Sequence, residues 1–143
     1  DDAGKASMVD VSGKVPVKRT AKASCRIYLS PSTIALIRGD GIPKGDVLAT
    51  ARIAGIMAGK HTSDLIPLCH NISIDKIGVD FHILEDHIEI QSVAVCVDKT
   101  GIEMEALTAV SVAALTIWDM CKAVDKTMHI DGITLNEKTK RDL

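Results

Sequence analysis

The segment from Thr100 to Lys126 constrains the fold of this 143-residue chain more than any other stretch. After an opening Thr-Gly pair it is rich in Ala, Leu and Met, with glutamates at its front and lysines at its back. This composition and charge order predict a long helix. From Ala106 to Val124 the segment is apolar almost all round, which indicates a helix buried on several sides. We therefore expect either a second helix or another subunit to cover it.

The composition of the whole chain limits the classes of function. A length of 143 residues predicts a single domain, 1–143. The net charge of −2 and the 2% aromatic content disfavour a nucleic-acid surface, which needs basic patches or stacking aromatics. Four cysteines without a C-x-x-C pair favour a reducing compartment over a disulfide framework or a zinc site. No apolar run is expected to span a membrane, and we expect a cytoplasmic protein, with an organelle still open.

Periodicity and turn residues predict the order of the elements. In chain order, we expect an extended N-terminal arm (1–20), a strand (22–30), helices (31–38 and 47–60), a sheet entry (68–71), a long strand bulged near Gly78 (72–84), a return strand (87–97), the long helix, a last strand (128–135) and a mobile polar tail (137–143).

Merging the two early helices into one crossover gives the order β-α-β-β-α-β. This order predicts an α+β, ferredoxin-like sandwich, with an antiparallel sheet and helices on one face. The other sheet face must then be polar or buried in an oligomer. Alanines and glycines give the helix over 47–60 a slim surface, which indicates close approach of another helix or chain. We expect a homo-oligomer.

Asp119, Lys122 and Lys126 share one face of the long helix, at spacings of i, i+3 and i+7. A surface salt-bridge ladder explains this spacing. A carboxylate beside an ammonium in a partly buried place would instead have an altered proton affinity, which suits acid–base chemistry. Both interpretations stay open on spacing alone.

The remaining candidates are weaker individually. Glu103 and Glu105 fit either a favourable helix dipole or a binding site. Lys44, before the second helix, is either a solvated cation or an anion contact. Cys69 and His70 are adjacent residues, which rarely converge on one metal, so no metal site is predicted. Together these residues indicate an anionic small-molecule ligand.

Four motifs in order resemble one family: Met8–Lys14, Lys44–Lys60, Asp64–His70 and Thr100–Val124. The sequence is similar to cyclic pyranopterin monophosphate synthase, the molybdenum cofactor biosynthesis protein C (MoaC) family, over nearly its whole length. The resemblance implies that 3′,8-cyclo-7,8-dihydro-GTP is converted to cyclic pyranopterin monophosphate with release of diphosphate. It also implies a ferredoxin-like hexamer, a trimer of dimers with active sites between subunits. We expect no cofactor, and leave open a Mg²⁺ ion on the substrate phosphates.

The resemblance also implies roles for individual residues. Asp119 and Lys122 match the catalytic acid–base pair. The positions matching substrate-binding residues are Leu68, Cys69, His70, Met104, Glu105, Lys44, Arg19, Asp10, Glu103 and Lys138. We expect Lys122 and Asp119 to transfer protons, and His70 and Lys44 to position the substrate.

The chain departs from the family pattern at its end. Residues 138–143 read KTKRDL, where the family carries a glycine-rich stretch, so the role of Lys138 is the least secure of the matches. The alternative to an enzyme is a non-catalytic purine-nucleotide-binding oligomeric module. Such a module needs cations for phosphate but no acid–base pair like Asp119 and Lys122.

Overall fold

The structure, a computed structural model, describes Gly4 and residues 6–143; the rest of the predicted N-terminal arm lies outside the described residues. The elements are β1 (Val17–Tyr28), α1 (Pro31–Arg38), α2 (Val47–Lys60), the single-turn α3 (Thr62–Leu65), β2 (Ile74–Ile83), β3 (His87–Asp98), α4 (Glu103–Cys121) and β4 (His129–Arg141). The helices predicted over 31–38, over 47–60 and within the long apolar segment are confirmed.

The four strands form one antiparallel sheet in the order β2-β3-β1-β4. Strand β3 lies between β1 and β2, and β1 lies between β3 and β4. Each β-α-β unit is therefore split by a strand of the other unit. The predicted α+β class is confirmed, and the arrangement is consistent with a ferredoxin-like sandwich.

Both long helices pack on the same face of the sheet. Alternate residues of β1, from Ala21 to Ile27, are buried there, and the Cys25 thiol lies 3.4 Å from the Val110 carbonyl of α4. On β3 the Ser92 hydroxyl donates to the Ala106 carbonyl at 2.7 Å. The opposite sheet face carries ion pairs such as Arg26–Asp131, as expected for a face not covered by helices.

Helices α2 and α4 approach closely because α2 presents glycine. A Cβ atom added at Gly55 would lie 2.8 Å from the Ala109 carbonyl, and one at Gly59 would meet the Ile77 side chain. The expected close approach of another helix is thus confirmed. The outer surface of the pair stays apolar: Leu115 is 57% exposed and Trp118 38%.

Helix α4 corrects one expectation. By length and composition alone it could cross a membrane, whereas the sequence was expected to contain no such run. Core helices of globular folds pass the same test, and α4 is mostly buried within this fold.

The end of the chain differs from the predicted mobile tail. Strand β4 continues through Arg141 and pairs with β1, with Lys138 opposite Ala21 and Lys140 opposite Arg19. An edge strand exposed on both faces lacks the apolar alternation that identifies strands, so its polar residues look like a tail. Strand β1 correspondingly begins at Val17, inside the predicted arm of residues 1–20.

Two further local predictions are wrong. Residues 68–71 lie outside the sheet, since β2 begins at Ile74. The register shift in β2 falls between Ile74 and Lys76 rather than near Gly78. The structure shows no steric need for glycine at position 78, because a Cβ added there would make only ordinary contact with Val93.

The Asp125 side chain connects the segment after α4 to the segment after β1 by hydrogen bonds. Its buried carboxylate accepts hydrogen bonds from the Ser30 amide at 2.9 Å, and from the Thr127 amide and hydroxyl at 2.8 and 2.7 Å. Burial raises the pKa of the carboxyl, but the hydrogen bonds from Ser30, Thr127 and Thr33 outweigh it and hold the pKa well below its usual range.

We expect Asp125→Ala to lower the free energy of unfolding by about 2 kcal/mol at neutral pH, because two backbone amides lose their acceptor. A carboxyl with a lowered folded-state pKa stabilises above its unfolded pKa of about 4 and loses that contribution as the pH falls. The difference between wild type and variant in urea unfolding should therefore narrow below about pH 4. The exposed control Asp80→Asn should change stability by less than about 0.5 kcal/mol. A difference in unfolding free energy between wild type and Asp125→Ala that does not change with pH would contradict this role of the ionised carboxylate.

Candidate active site

A lysine–aspartate cluster, comprising Lys44, Asp119 and Lys122, lies at the C-terminal end of α4. The Asp119 carboxylate accepts from the Lys44 ammonium at 3.0 Å through one oxygen, and pairs with the Lys122 ammonium at 3.0 Å through the other. Lys44 also donates to the Asp119 carbonyl at 3.2 Å. The loop before α2 therefore meets the end of α4, and two cations share one carboxylate.

The cluster differs from a simple helical ladder. Lys126 lies beyond the end of α4 and donates to the Lys122 carbonyl at 2.7 Å, while Lys44 comes from another segment. Hydrogen bonds from Lys44 and Lys122 lower the pKa of Asp119, so this carboxyl is ionised near neutral pH. Of the two open interpretations, the surface one fits the single chain better, since the Asp119 side chain is 57% exposed.

A second group of candidates surrounds a cavity of about 180 Å³ at the N-terminal end of α4, called here the acidic cavity. Its lining residues are Cys69, His70, Ile72, Thr100, Gly101, Glu103, Met104 and Glu105. Five of the predicted binding residues are thus brought together. The His70 ring donates its Nε2–H to the Val9 carbonyl at 2.6 Å, so the N-terminal arm orients this ring.

Burial raises the pKa values of two groups that line the acidic cavity, the Glu105 carboxyl and the Cys69 thiol. Glu105 is 3% exposed, and burial, together with the nearby Glu103 carboxylate, raises the pKa of its carboxyl. Burial and the charge of Glu105 likewise raise the pKa of the Cys69 thiol. Cys69 is therefore a protonated thiol at neutral pH and a poor nucleophile. The cavity offers hydrogen-bonding groups to a ligand rather than a reactive sulfur.

A second cavity, of about 270 Å³, adjoins the acidic cavity and is called here the cationic cavity. It is lined by Lys14, Arg19, Thr20, Gly101, Ile102, Lys138, Thr139 and Lys140. Arg19 donates to the carbonyls of Asp98 and Lys99 at 3.1 and 3.2 Å, which fixes its guanidinium. Lys138 pairs with Glu103 at 3.4 Å, and Gly101 borders both cavities.

Not every predicted site residue lines one of the two cavities. Asp10 and Leu68 line neither cavity, although Asp10 follows Val9, which contacts His70. The larger separation runs along α4: at 1.5 Å per residue, Glu103 and Asp119 lie about 24 Å apart along the axis. Within one chain, the lysine–aspartate cluster and the two cavities are separate half-sites.

Sequence reasoning missed several residues that line these cavities. Lys14 belongs to a motif but has no predicted role, and Lys140 belongs to the predicted mobile tail. The other unpredicted residues are Thr20, Ile72, Thr100, Gly101, Ile102 and Thr139. Pairing with β1, and not spacing, brings Lys140 to the cavity. Among the residues that the structure describes, no group of three His, Cys, Asp or Glu side chains could hold a metal ion.

Comparison with known proteins relates this arrangement to one family. The family model "MoaC family" matches residues 8–141. A cyclic pyranopterin monophosphate synthase of Streptomyces avermitilis is 57% identical over 139 residues, covering 97% of this chain and 82% of the relative. One of Peptoclostridium acidaminophilum is 55% identical over 139 residues, covering 97% and 88%. A molybdenum cofactor biosynthesis bifunctional protein of Chlorobaculum tepidum is 57% identical, covering 97% of this chain and 45% of the relative. The chain belongs to the MoaC family.

Proposed function

We propose that the chain is a cyclic pyranopterin monophosphate synthase, which converts 3′,8-cyclo-7,8-dihydro-GTP to cyclic pyranopterin monophosphate and diphosphate in molybdenum cofactor biosynthesis. The observation that carries the proposal beyond family membership is the lysine–aspartate cluster, in which one ionised carboxylate holds two ammonium groups. A binding module needs cations for phosphate but has no use for this shared arrangement.

The cluster supplies two kinds of chemistry that the reaction requires. Opening one ring of the substrate and closing new rings moves protons several times, which a positioned amine can mediate. Asp119 holds Lys44 and Lys122 in place, and Lys122 exchanges protons with the substrate. A sugar hydroxyl then attacks the α-phosphorus, the bond to the β-phosphate oxygen breaks, and the ammonium groups offset the charge on the departing diphosphate.

The acidic cavity supplies the contacts to the ring system of the substrate. In this proposal, His70 and Glu105 hydrogen-bond to the polar ring edge, with Glu103 and Met104 beside them. Burial of Glu105 supports this role, because a desolvated carboxyl discriminates strongly among hydrogen-bond partners. The remaining substrate-binding residues in the proposal are Asp10, Arg19, Leu68, Cys69 and Lys138.

The proposed active site is shared between two subunits. The half-sites at the two ends of α4 lie too far apart for one small substrate to contact both within a single chain. On the outer surface of the helix pair, Ile53, Met57, Leu115 and Trp118 are exposed, which suits an apolar subunit contact. Antiparallel packing of a second copy there would bring opposite ends of the two α4 helices together. We propose that such dimers form a hexamer as a trimer of dimers.

The proposal includes no protein-bound cofactor; a Mg²⁺ ion would arrive with the substrate phosphates. It places the reaction in the cytoplasm. The test is incubation of the purified protein with the cyclised dihydro-GTP, followed by quantification of diphosphate and of the oxidised fluorescent pterin. Release of both in equal amounts is expected. Tight substrate binding without either product would instead support the non-catalytic nucleotide-binding module.

A further inference from the structure

We infer that Gly45 is a positioning residue for the lysine–aspartate cluster. Its left-handed backbone directs the chain from a tight turn into α2, and this path places the Lys44 ammonium on the Asp119 carboxylate. The consequence of this placement for turnover rests on the proposed function, whereas its consequence for the Asp119 carboxylate does not.

The position of the backbone, more than side-chain packing, places the Lys44 ammonium. The Lys44 side chain is 46% exposed, so the protein surrounds little of its flexible four-carbon stem. The ammonium nevertheless lies 3.0 Å from an Asp119 carboxylate oxygen and 3.2 Å from the Asp119 carbonyl. These contacts form only while the Lys44 Cα stays within reach of the end of α4. The path of the loop around residue 44 therefore decides whether the cluster forms.

The chain is fixed on both sides of Lys44. Before it, the Ile42 side chain is buried in the core. After it, the Asp46 carboxylate caps α2 by accepting from the Ala49 amide at 3.1 Å. The Gly45 amide donates to the Ile42 carbonyl at 3.0 Å, which closes a β-turn with Lys44 at its third position. The chain must therefore leave the turn and enter the helix cap within one residue.

Gly45 makes this change of direction at a backbone torsion angle φ of +112°. The Cβ of an L-residue clashes with the backbone in this region, so glycine adopts it far more readily than other residues. Among the residues that the structure describes, no atom lies within 4 Å of a Cβ built at Gly45. A methyl group there would act through the backbone angle and would leave the core undisturbed. Substitution of Gly45 therefore tests the path of the chain alone.

The experiment measures the pKa of the Asp119 carboxyl by carboxyl-carbon NMR of the full chain. The hydrogen bond from Lys44 is the largest contribution that lowers this pKa, followed by the one from Lys122. Gly45→Ala should raise the pKa of Asp119, because alanine moves the backbone away from positive φ and draws Lys44 off the carboxylate. Lys44→Ala should raise it at least as far. In the Lys44→Ala background, Gly45→Ala should cause no further rise.

Gly39→Ala is the matched control, since it makes the same chemical change at the start of the same loop. Gly39 has a φ of −91°, which any residue adopts, and a Cβ there would make ordinary contact with the Ala35 carbonyl at 3.4 Å. This variant should leave the pKa of Asp119 unchanged. Circular dichroism checks that each variant keeps its fold. Gly45→Asn replaces Gly45→Ala if the latter fails this check, and should raise the pKa of Asp119 less, because asparagine tolerates positive φ better.

The outcomes separate this inference from the proposed function. A wild-type pKa of Asp119 in the folded Gly45 variant, or an equal rise in Gly39→Ala, would overturn the inference even if turnover falls. A full rise in the Lys44→Ala background would also overturn it, since Gly45 would then act without Lys44.

Turnover provides a second comparison. Where the proposed function holds, Gly45→Ala should lower turnover of the cyclised dihydro-GTP by about tenfold, because a displaced amine is poorly oriented toward the substrate. A raised pKa of Asp119 that depends on Lys44, together with a wild type that turns over no substrate, supports the inference and overturns only the proposed function.

Discussion

Lys122→Ala should lower the turnover of cyclised dihydro-GTP by about 10³-fold, because the substitution removes a positioned proton-transfer group. Lys122 lies at the end of α4 with its ammonium 3.0 Å from the Asp119 carboxylate and most of its side chain exposed. Its removal leaves no cavity and no buried charge, so the fold and the oligomer should persist. Lys44 still satisfies Asp119, which keeps the local backbone arrangement. The measurement is single-turnover release of the pterin product, with size-exclusion chromatography for assembly.

Lys126→Ala provides the matched control for this substitution. It removes an equal charge four residues further on, where the ammonium donates to the Lys122 carbonyl. Its turnover should stay within about threefold of wild type, because an exposed cation outside the cluster contributes little. Turnover by Lys122→Ala close to that of wild type would exclude Lys122 as the proton-transfer group. Equal losses in both variants would mean that net positive charge, and not one positioned amine, drives the reaction.

The helices were predictable because their signals are local. In the structure, Ser30 and Asp46 cap α1 and α2 through their side chains, and Pro31 begins α1. The split order of the sheet followed from the order of elements alone. The predicted last strand ends at residue 135, because the exposed residues beyond it carry no burial pattern. In the structure, pairing with β1 extends β4 to Arg141.

The site was predictable only in part, because its contacts are long-range. Spacing could place Asp119 and Lys122 on one face of a helix, but the Lys44–Asp119 contact joins residues 75 positions apart. The partly buried interpretation of Asp119, one of the two left open, depended on its apolar neighbours, yet Trp118 itself is 38% exposed in the single chain. An apolar helix face can be covered by another copy as well as by its own fold. The sequence pattern alone does not distinguish the two.

Two inactive variants should restore activity when they assemble together, provided that the active site is shared between subunits. Lys122→Ala disables the half-site at the C-terminal end of α4, and His70→Ala disables the half-site at its N-terminal end. In a mixed dimer, both lesions fall in one site and the other site is intact. Random mixing should therefore recover about a quarter of the wild-type turnover, because half of the dimers are mixed and each has one intact site.

The measurement co-refolds or co-expresses the two variants, assays the unfractionated mixture, and uses different affinity tags on the two variants to verify that mixed dimers have formed. The matched control mixes Lys122→Ala with Asp119→Asn, two lesions in the same half-site, which cannot restore an intact site in any pairing. Recovery in the first mixture only is the expected result, since the two half-sites lie about 24 Å apart along α4 in one chain. No recovery from mixed dimers that are shown to form would place all the reacting groups within one chain, and the folded chain would then have to move its half-sites together. Recovery thus tests the shared site independently of any single residue's chemical role.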